Sequence, residues 1–166
     1  MIKQSLDEKY LLELYGGRRL KPINIEDIAN ELEASMDGWE QFLNVETGKF
    51  VSLSDGSYVK WDEDDERLAE EIECSKKYVR LPSQRELHEY NIMEEFAEHV
   101  PNQHKSELLF RALNGRKPFR HFKDAICDLG LDDAYYAFRF LAFCDIAARW
   151  CQDNEIPCIG IDAKEH

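Results

Sequence analysis

Apolar residues alternate with polar ones in the first half of the chain and follow a helical period in the second half. Alternation every second position is the pattern of half-buried β-strands, and it recurs between residues 39 and 81. The turn Glu46-Thr47-Gly48 predicts a β-hairpin, because glycine suits the left-handed position of such a turn. The predicted strands span 39–45, 49–53 and 77–81, with shorter candidates at 58–61 and 156–161.

Helical spacing governs the remaining segments. Ser83 and Glu86 form a capping-box pattern before an apolar stripe that Pro101 ends. Pro118 suits the first turn of a helix, and Asp132 or Asp133 suits the start of the last one. The expected helices follow Asn24 to about 32, follow the acidic run 62–66 to about 72, and lie at 83–100, around 108–114, at 118–129 and at 134–152.

The helix predicted at 134–152 is apolar on nearly its whole circumference. At 100° per residue, its charged side chains Arg139, Asp145 and Arg149 fall in one sector of about 120°. We therefore expect only one edge of this helix to reach water. It is the predicted central core helix.

Strands that come first and helices that come later favour an α+β fold over a parallel sheet built from βαβ units. We predict a small antiparallel sheet with a β-hairpin, packed on a C-terminal helical group. Residues 1–17 read as an appended N-terminal helix with a Gly-Gly joint. Residues 18–166 read as a single α+β domain, a normal size for a chain of 166 residues with 43% hydrophobic residues.

Charge narrows the classes of partner. The formal net charge of −13 and the pI near 4.8 repel nucleic-acid backbone and anionic membranes over most of the surface. We find no apolar stretch long enough for a membrane span and no signal-peptide core at the start. The sequence predicts a cytoplasmic protein that does not bind nucleic acid or membrane.

The five cysteines support the same compartment. They stand at 74, 127, 144, 151 and 158, and none forms the C-x-x-C pair of a zinc site. The spacing of seven between Cys144 and Cys151 indicates one buried helix face, so we interpret the thiols as core residues in a reducing cytosol.

One segment departs from the acidic character of the chain. Residues 115–124 hold four cationic side chains and two phenylalanines. Backbone N–H groups at a helix start, together with arginine forks, bind carboxylates and phosphates. The alternative is that the cations pair with the protein's own carboxylates while the phenylalanines pack in the core. The candidate ligand- or partner-binding residues are Arg116, Lys117, Arg120, His121 and Lys123.

Other chemistries find little support. Asp62, Asp64, Glu66 and Glu73 match calcium-loop positions, but Arg67 occupies the position that needs glycine. The histidines are scattered, and no nucleophile or phosphate-loop motif occurs. Tryptophans 39, 61 and 150 lie in strand or core contexts. We predict no catalytic residues, no metal and no cofactor.

Several of these segments together resemble a bacterial family known only as an uncharacterised protein family. The resemblance runs over roughly residues 20–160, and its most specific parts are Phe119-Arg120-x-Phe122-Lys123 and the Leu-Pro strand end before Glu94-Glu95-Phe96. It implies a small cytosolic bacterial α+β protein. It implies no activity, cofactor or catalytic residue.

Three functions remain open. The leading hypothesis is a non-enzymatic binding or regulatory module that meets an acidic protein segment or a phosphorylated ligand. The alternative is a small hydrolase or transferase for an anionic substrate, with Arg120 as the anion clamp and His121 or an adjacent carboxylate as acid or base. The third is self-association of oppositely charged faces into a homo-oligomer.

Overall fold

The computed structural model describes residues 22–160. The N-terminal helix and Gly-Gly joint predicted at 1–17, and the last residue of the strand predicted at 156–161, lie outside the described residues. Among the helices of residues 22–160, none combines the length and the apolarity that a bilayer crossing requires.

The helices and strands occur in the predicted order, except that a short strand at 23–24 was not predicted and the candidate strand at 58–61 is absent. The strands are β1 Ile23–Asn24, β2 Trp39–Asn44, β3 Phe50–Ser54, β4 Tyr78–Arg80 and β5 Cys158–Ile159. The α-helices are α1 Ile25–Glu33, α2 Glu63–Cys74, α3 Glu89–His99, α4 Gln103–Asn114, α5 Pro118–Asp128 and α6 Asp132–Asp153. The α+β class is confirmed.

The described chain divides into two compact units. The first unit holds residues 22–86 and 143–160, and the second holds residues 87–142. The assignment of 18–166 to a single domain stays a prediction.

The first unit contains the predicted antiparallel sheet. Its strand order is β3-β2-β4, and Leu43 pairs with Phe50 next to the hairpin turn. Gly48 has φ of 74°, the left-handed conformation that the turn requires. β1 and β5 form a separate parallel pair in which Ile23 lies opposite Cys158. The end of α6 joins the sheet through Trp150, whose indole N–H donates to the Arg80 carbonyl over 2.9 Å.

The strand predicted at 58–61 is absent. Residues 58 and 59 form bends, and residues 60 and 61 have no regular secondary structure, because side chains tie the segment back to the end of β3. The Ser54 hydroxyl donates to the Val59 carbonyl over 3.1 Å, and the Trp61 indole donates to the Ser54 carbonyl over 2.6 Å. These bonds fold the segment across the strand end, where it cannot extend the sheet.

The second unit contains α3, α4, α5 and the first half of α6. Its core centres on edge-to-face aromatic contacts, with Phe96 and Phe122 each within 5.3 Å of the Tyr135 ring centre. Such pairs add to the stabilisation that burial provides. Leu109, Leu113 and Ile126 complete the buried face.

The helix predicted from the Ser83–Glu86 box starts later than expected. The two residues do cap each other, since Glu86 N–H donates to the Ser83 hydroxyl and Ser83 N–H donates to the Glu86 carboxylate. They cap only a 3₁₀ turn at Arg85–Leu87. His88 then adopts a left-handed conformation with φ of 51°, which interrupts the helix so that α3 begins at Glu89.

Two predictions about burial are partly wrong. Tyr136 and Leu141 of α6 are 42% and 45% exposed, so more than one edge of this helix reaches water. Cys144, Cys151 and Cys158 are buried as expected, whereas Cys74 and Cys127 are exposed. Both cysteines lie on helix faces that the units leave uncovered.

Candidate binding surface around residues 116–123

The basic segment, residues 116–123, contains the start of α5. Pro118 is the first helical residue, as its fixed backbone angle favours. Lys117 precedes it in a left-handed conformation with φ of 48°, and its side chain caps no backbone N–H. The first turn contains no acidic residue. Positive charge therefore gathers where the helix dipole is already positive, an arrangement that favours an anionic partner.

The cations of the basic segment are available for contact. Arg116, Lys117 and Arg120 are exposed and Lys123 is half-buried. Within residues 22–160, none of the four lies within 4.0 Å of a carboxylate. Four other cations of the described chain have ion pairs, namely Arg67 with Asp64, Lys77 with Glu71, Arg80 with Glu86 and Arg139 with Glu89.

The two phenylalanines of the segment have different environments. Phe122 is fully buried in the aromatic core of the second unit, whereas Phe119 is 46% exposed. Phe119 meets the Tyr90 ring edge-on at 6.5 Å, and the Tyr90 hydroxyl donates to the Leu113 carbonyl over 3.1 Å. The core alternative thus holds for Phe122 only. Phe119 packs against Tyr90 and presents an exposed apolar surface beside the cations.

His121 is exposed next to Arg120. Among the described residues its ring forms no hydrogen bond that would orient it for proton transfer. The enzymatic alternative stays a prediction without a geometric argument in its favour.

Of the calcium-loop residues, Asp62, Asp64 and Glu66 lie at the start of α2, whereas Glu73 lies near its end. Asp62 accepts from the Asp65 N–H over 2.8 Å, and Asp65 accepts from the Asp62 N–H over 3.0 Å. The bond from the Asp65 backbone lowers the pKa of Asp62, so both carboxylates serve as caps. No group of three or more His, Cys, Asp and Glu side chains in residues 22–160 is arranged to hold a metal ion.

Sequence reasoning missed an exposed group of large apolar side chains in the first unit. We name it the apolar corner, and it consists of Met36, Tyr58, Val59 and Trp61. The assignment of Trp61 to a strand or core context was wrong, because the residue lies in no strand and is 42% exposed. The turn-forming run at 54–57 was the available signal, since a chain that reverses there carries the next residues to the surface.

Comparisons with known proteins locate the chain in one family. Neither curated proteins nor solved structures gave a match. The model of the uncharacterised protein family UPF0158 matches residues 20–162, which confirms the resemblance inferred from the sequence over roughly residues 20–160. The chain therefore belongs to the uncharacterised protein family UPF0158.

Proposed function

We propose that the chain is a non-enzymatic binding or regulatory module of the bacterial cytoplasm, and that the basic segment binds an acidic segment of a protein. The observation that carries the proposal is the set of exposed cations around α5. They lack carboxylate partners in residues 22–160, although Asp and Glu outnumber Lys and Arg by 34 to 21 in the whole chain.

The position of the cations adds to this argument. Lysine and arginine in the first turn of a helix oppose the helix dipole, and Lys117 also adopts a backbone conformation that is unfavourable for a residue with a side chain. A bound carboxylate offsets the repulsion between the cations and the helix dipole, because it interacts both with the cations and with the free N–H groups of the first turn. Binding therefore gives these residues a role that folding does not require.

Phe119 favours a protein segment over a phosphate-bearing small molecule. The exposed ring provides apolar contact beside the charges, and aromatic and arginine side chains dominate many protein interfaces. An acidic segment with an apolar side chain fits both features. A phosphate group alone would interact with the cations and make no contact with Phe119.

The test is fluorescence anisotropy with a short labelled peptide of Asp and Glu that contains one Phe. We expect the Arg116→Ala/Arg120→Ala variant to bind at least about tenfold more weakly than the wild type. The matched control is Arg85→Ala/Arg149→Ala, which removes two exposed arginines elsewhere and should bind normally.

Equal binding by all three proteins would overturn the proposal. Inorganic phosphate and a phosphoserine peptide serve as competitors. Displacement by phosphate at low concentration would favour a phosphorylated ligand instead. Affinity capture from native cells with the same variants, followed by mass spectrometry, then identifies the acidic partner.

A further inference from the structure

We infer that the acidic partner of the basic segment is a second copy of this chain, which offers the apolar corner and its acidic rim. The acidic rim consists of Asp37, Asp55, Glu63 and Glu66, all exposed. This inference rests on the proposed function, since it requires that the basic segment bind carboxylates. It adds the identity of the surface that supplies them.

The apolar corner is a structured surface. The ring of Tyr58 lies over Gly38, with a ring carbon 2.8 Å from where a Cβ would stand. The backbone N–H of Asp55 donates to the Gly38 carbonyl over 2.8 Å, and that of Trp39 donates to the Met36 carbonyl over 3.2 Å. These contacts place Met36 and Tyr58 at the open end of the β2–β3 hairpin, away from its turn.

The other two members are fixed at the same place. Ser54, which pairs with Trp39 across the hairpin, receives the Trp61 indole N–H on its carbonyl and donates its hydroxyl to Val59. Neighbouring large apolar side chains that stay exposed mark interaction surfaces. Folding thus presents these side chains to solvent in a defined geometry.

Helix α2, which follows Trp61, supports the same interpretation. None of its residues is fully buried, whereas each of the other α-helices in residues 22–160 has buried side chains. Leu68 and Ile72 of α2 are only half-buried, although their spacing of four places them on one face. The first unit therefore leaves apolar surface uncovered next to its strongest run of acids.

The distribution of charge favours the basic segment of a second copy as the partner of the apolar corner. The described part of the first unit contains twenty Asp and Glu against eight Lys and Arg, whereas residues 87–142 contain nine against seven. The apolar corner with its rim thus offers aromatic and acidic groups, and the basic segment offers Phe119 with cations. Opposite charges around apolar contacts are the pattern of complementary interfaces.

The two surfaces differ, so each contact between copies is head-to-tail. Contacts of this type close into a ring or continue into a longer assembly, depending on the rotation between copies. A copy that has lost one surface keeps the other and can still form one contact. That property allows a test by mixing variants.

The experiment measures molar mass by light scattering for three charge-reversed proteins. Glu63→Lys/Glu66→Lys disables the acidic rim, and Arg116→Glu/Arg120→Glu disables the basic segment. Each variant alone should stay monomeric at concentrations where the wild type self-associates, with an apparent dissociation constant at least about tenfold higher. An equimolar mixture should associate again, because the basic segment of one variant meets the unchanged acidic rim of the other, and the two reversed surfaces are also opposite in charge. The chain with all four substitutions should associate again, because both charges are exchanged.

The control Glu95→Lys/Glu98→Lys makes the same change in charge at two other exposed positions and should associate like the wild type. Wild-type association should weaken between about 0.05 and 0.5 M NaCl, as screening requires. Circular dichroism confirms that each variant folds, and Met36→Ser/Val59→Ser tests the apolar contribution without a change in charge.

Loss of association in the control, no association in the mixture, or a monomeric wild type would each overturn the inference. In the last case the acidic-peptide assay separates the two proposals. Peptide binding that depends on Arg116 and Arg120 would preserve the proposed function and reject only self-association. No peptide binding would reject both.

Discussion

The buried hydroxyl of Tyr135 donates a hydrogen bond of 2.9 Å to the Glu89 carboxylate. Glu89 also meets the Arg139 guanidinium at 3.1 Å, and both charged side chains are largely buried. The triad joins the first turn of α3 to α6 within the second unit. Burial and the neighbouring carboxylate together raise the pKa of Tyr135 far above its ordinary value, so the hydroxyl remains a donor across the physiological range.

Tyr135→Phe should lower the free energy of unfolding by about 1–2 kcal/mol, because Glu89 loses a buried donor while the ring contacts stay. Glu89→Ala should cost more, about 3 kcal/mol, because it leaves Arg139 without this carboxylate. Urea denaturation measures both. Tyr136→Phe is the matched control and should change the stability by less than about 0.5 kcal/mol. Equal effects at positions 135 and 136 would contradict the triad.

Glu86 should make stability depend on pH in the acid range. The guanidinium of Arg80 and the N–H and hydroxyl of Ser83 lower the pKa of Glu86 from 4.5 to about 2. Because folding lowers this pKa, the stabilisation is complete above about pH 4.5 and disappears as the pH falls towards 2. Glu86→Gln should cost at most about 1 kcal/mol at pH 7, since the pair is half-exposed. The difference from wild type should vanish at low pH in a series of denaturation curves, and Glu98→Gln is the control.

Phe119 and Phe122 should separate binding from folding. Phe122→Ala should lower the free energy of unfolding by about 3–5 kcal/mol, because it empties a fully buried site. Phe119→Ala should cost less than about 1 kcal/mol, because its ring is half-exposed, yet weaken binding of the acidic peptide. Thermal denaturation and anisotropy on the same samples test the pair. A strongly destabilised Phe119→Ala protein would assign Phe119 to the core.

The left-handed backbone at Lys117 leads to a further prediction. Lys117→Gly should raise the free energy of unfolding by about 0.5–1 kcal/mol, because glycine adopts this conformation without strain. The same change should weaken peptide binding, since it removes a cation. Lys123→Gly, inside α5, should instead destabilise the fold by about 1 kcal/mol. Destabilisation at both positions would mean that Lys117 makes a structural contact.

Thiol labelling should distinguish two classes of cysteine. Cys74 and Cys127 are exposed, whereas the other three are buried, and burial raises the pKa of Cys144 to about 11. A thiolate is the reactive form. An aromatic disulfide reagent should therefore label two thiols rapidly in the native protein and the remaining three only after denaturation. Rapid labelling of all five would contradict the burial of the C-terminal cysteines.

Local sequence patterns predicted the secondary structure well where residues at the end of an element fix that end. Asn24 caps α1 through a 2.9 Å bond to the Glu26 N–H, and Pro118 begins α5. The strand predicted at 58–61 was wrong. The apolar residues of this segment resemble those of a strand, but hydrogen bonds of Ser54 to Val59 and Trp61 fold the segment back on the end of β3. The predicted start of α3 was also wrong, because a capping box can cap a short 3₁₀ turn as well as a longer helix.

The sequence by itself determined the α+β class, the order of the main elements and the position of the basic segment. These follow from spacing, capping and charge, which act between residues close along the chain. Only the tertiary structure decided that Phe122 is buried while Phe119 is exposed, and that the cations have no carboxylate neighbour among the described residues. It also brought Met36, Tyr58 and Trp61 to one exposed corner. Such relations depend on which distant segments pack together, and no local pattern encodes them.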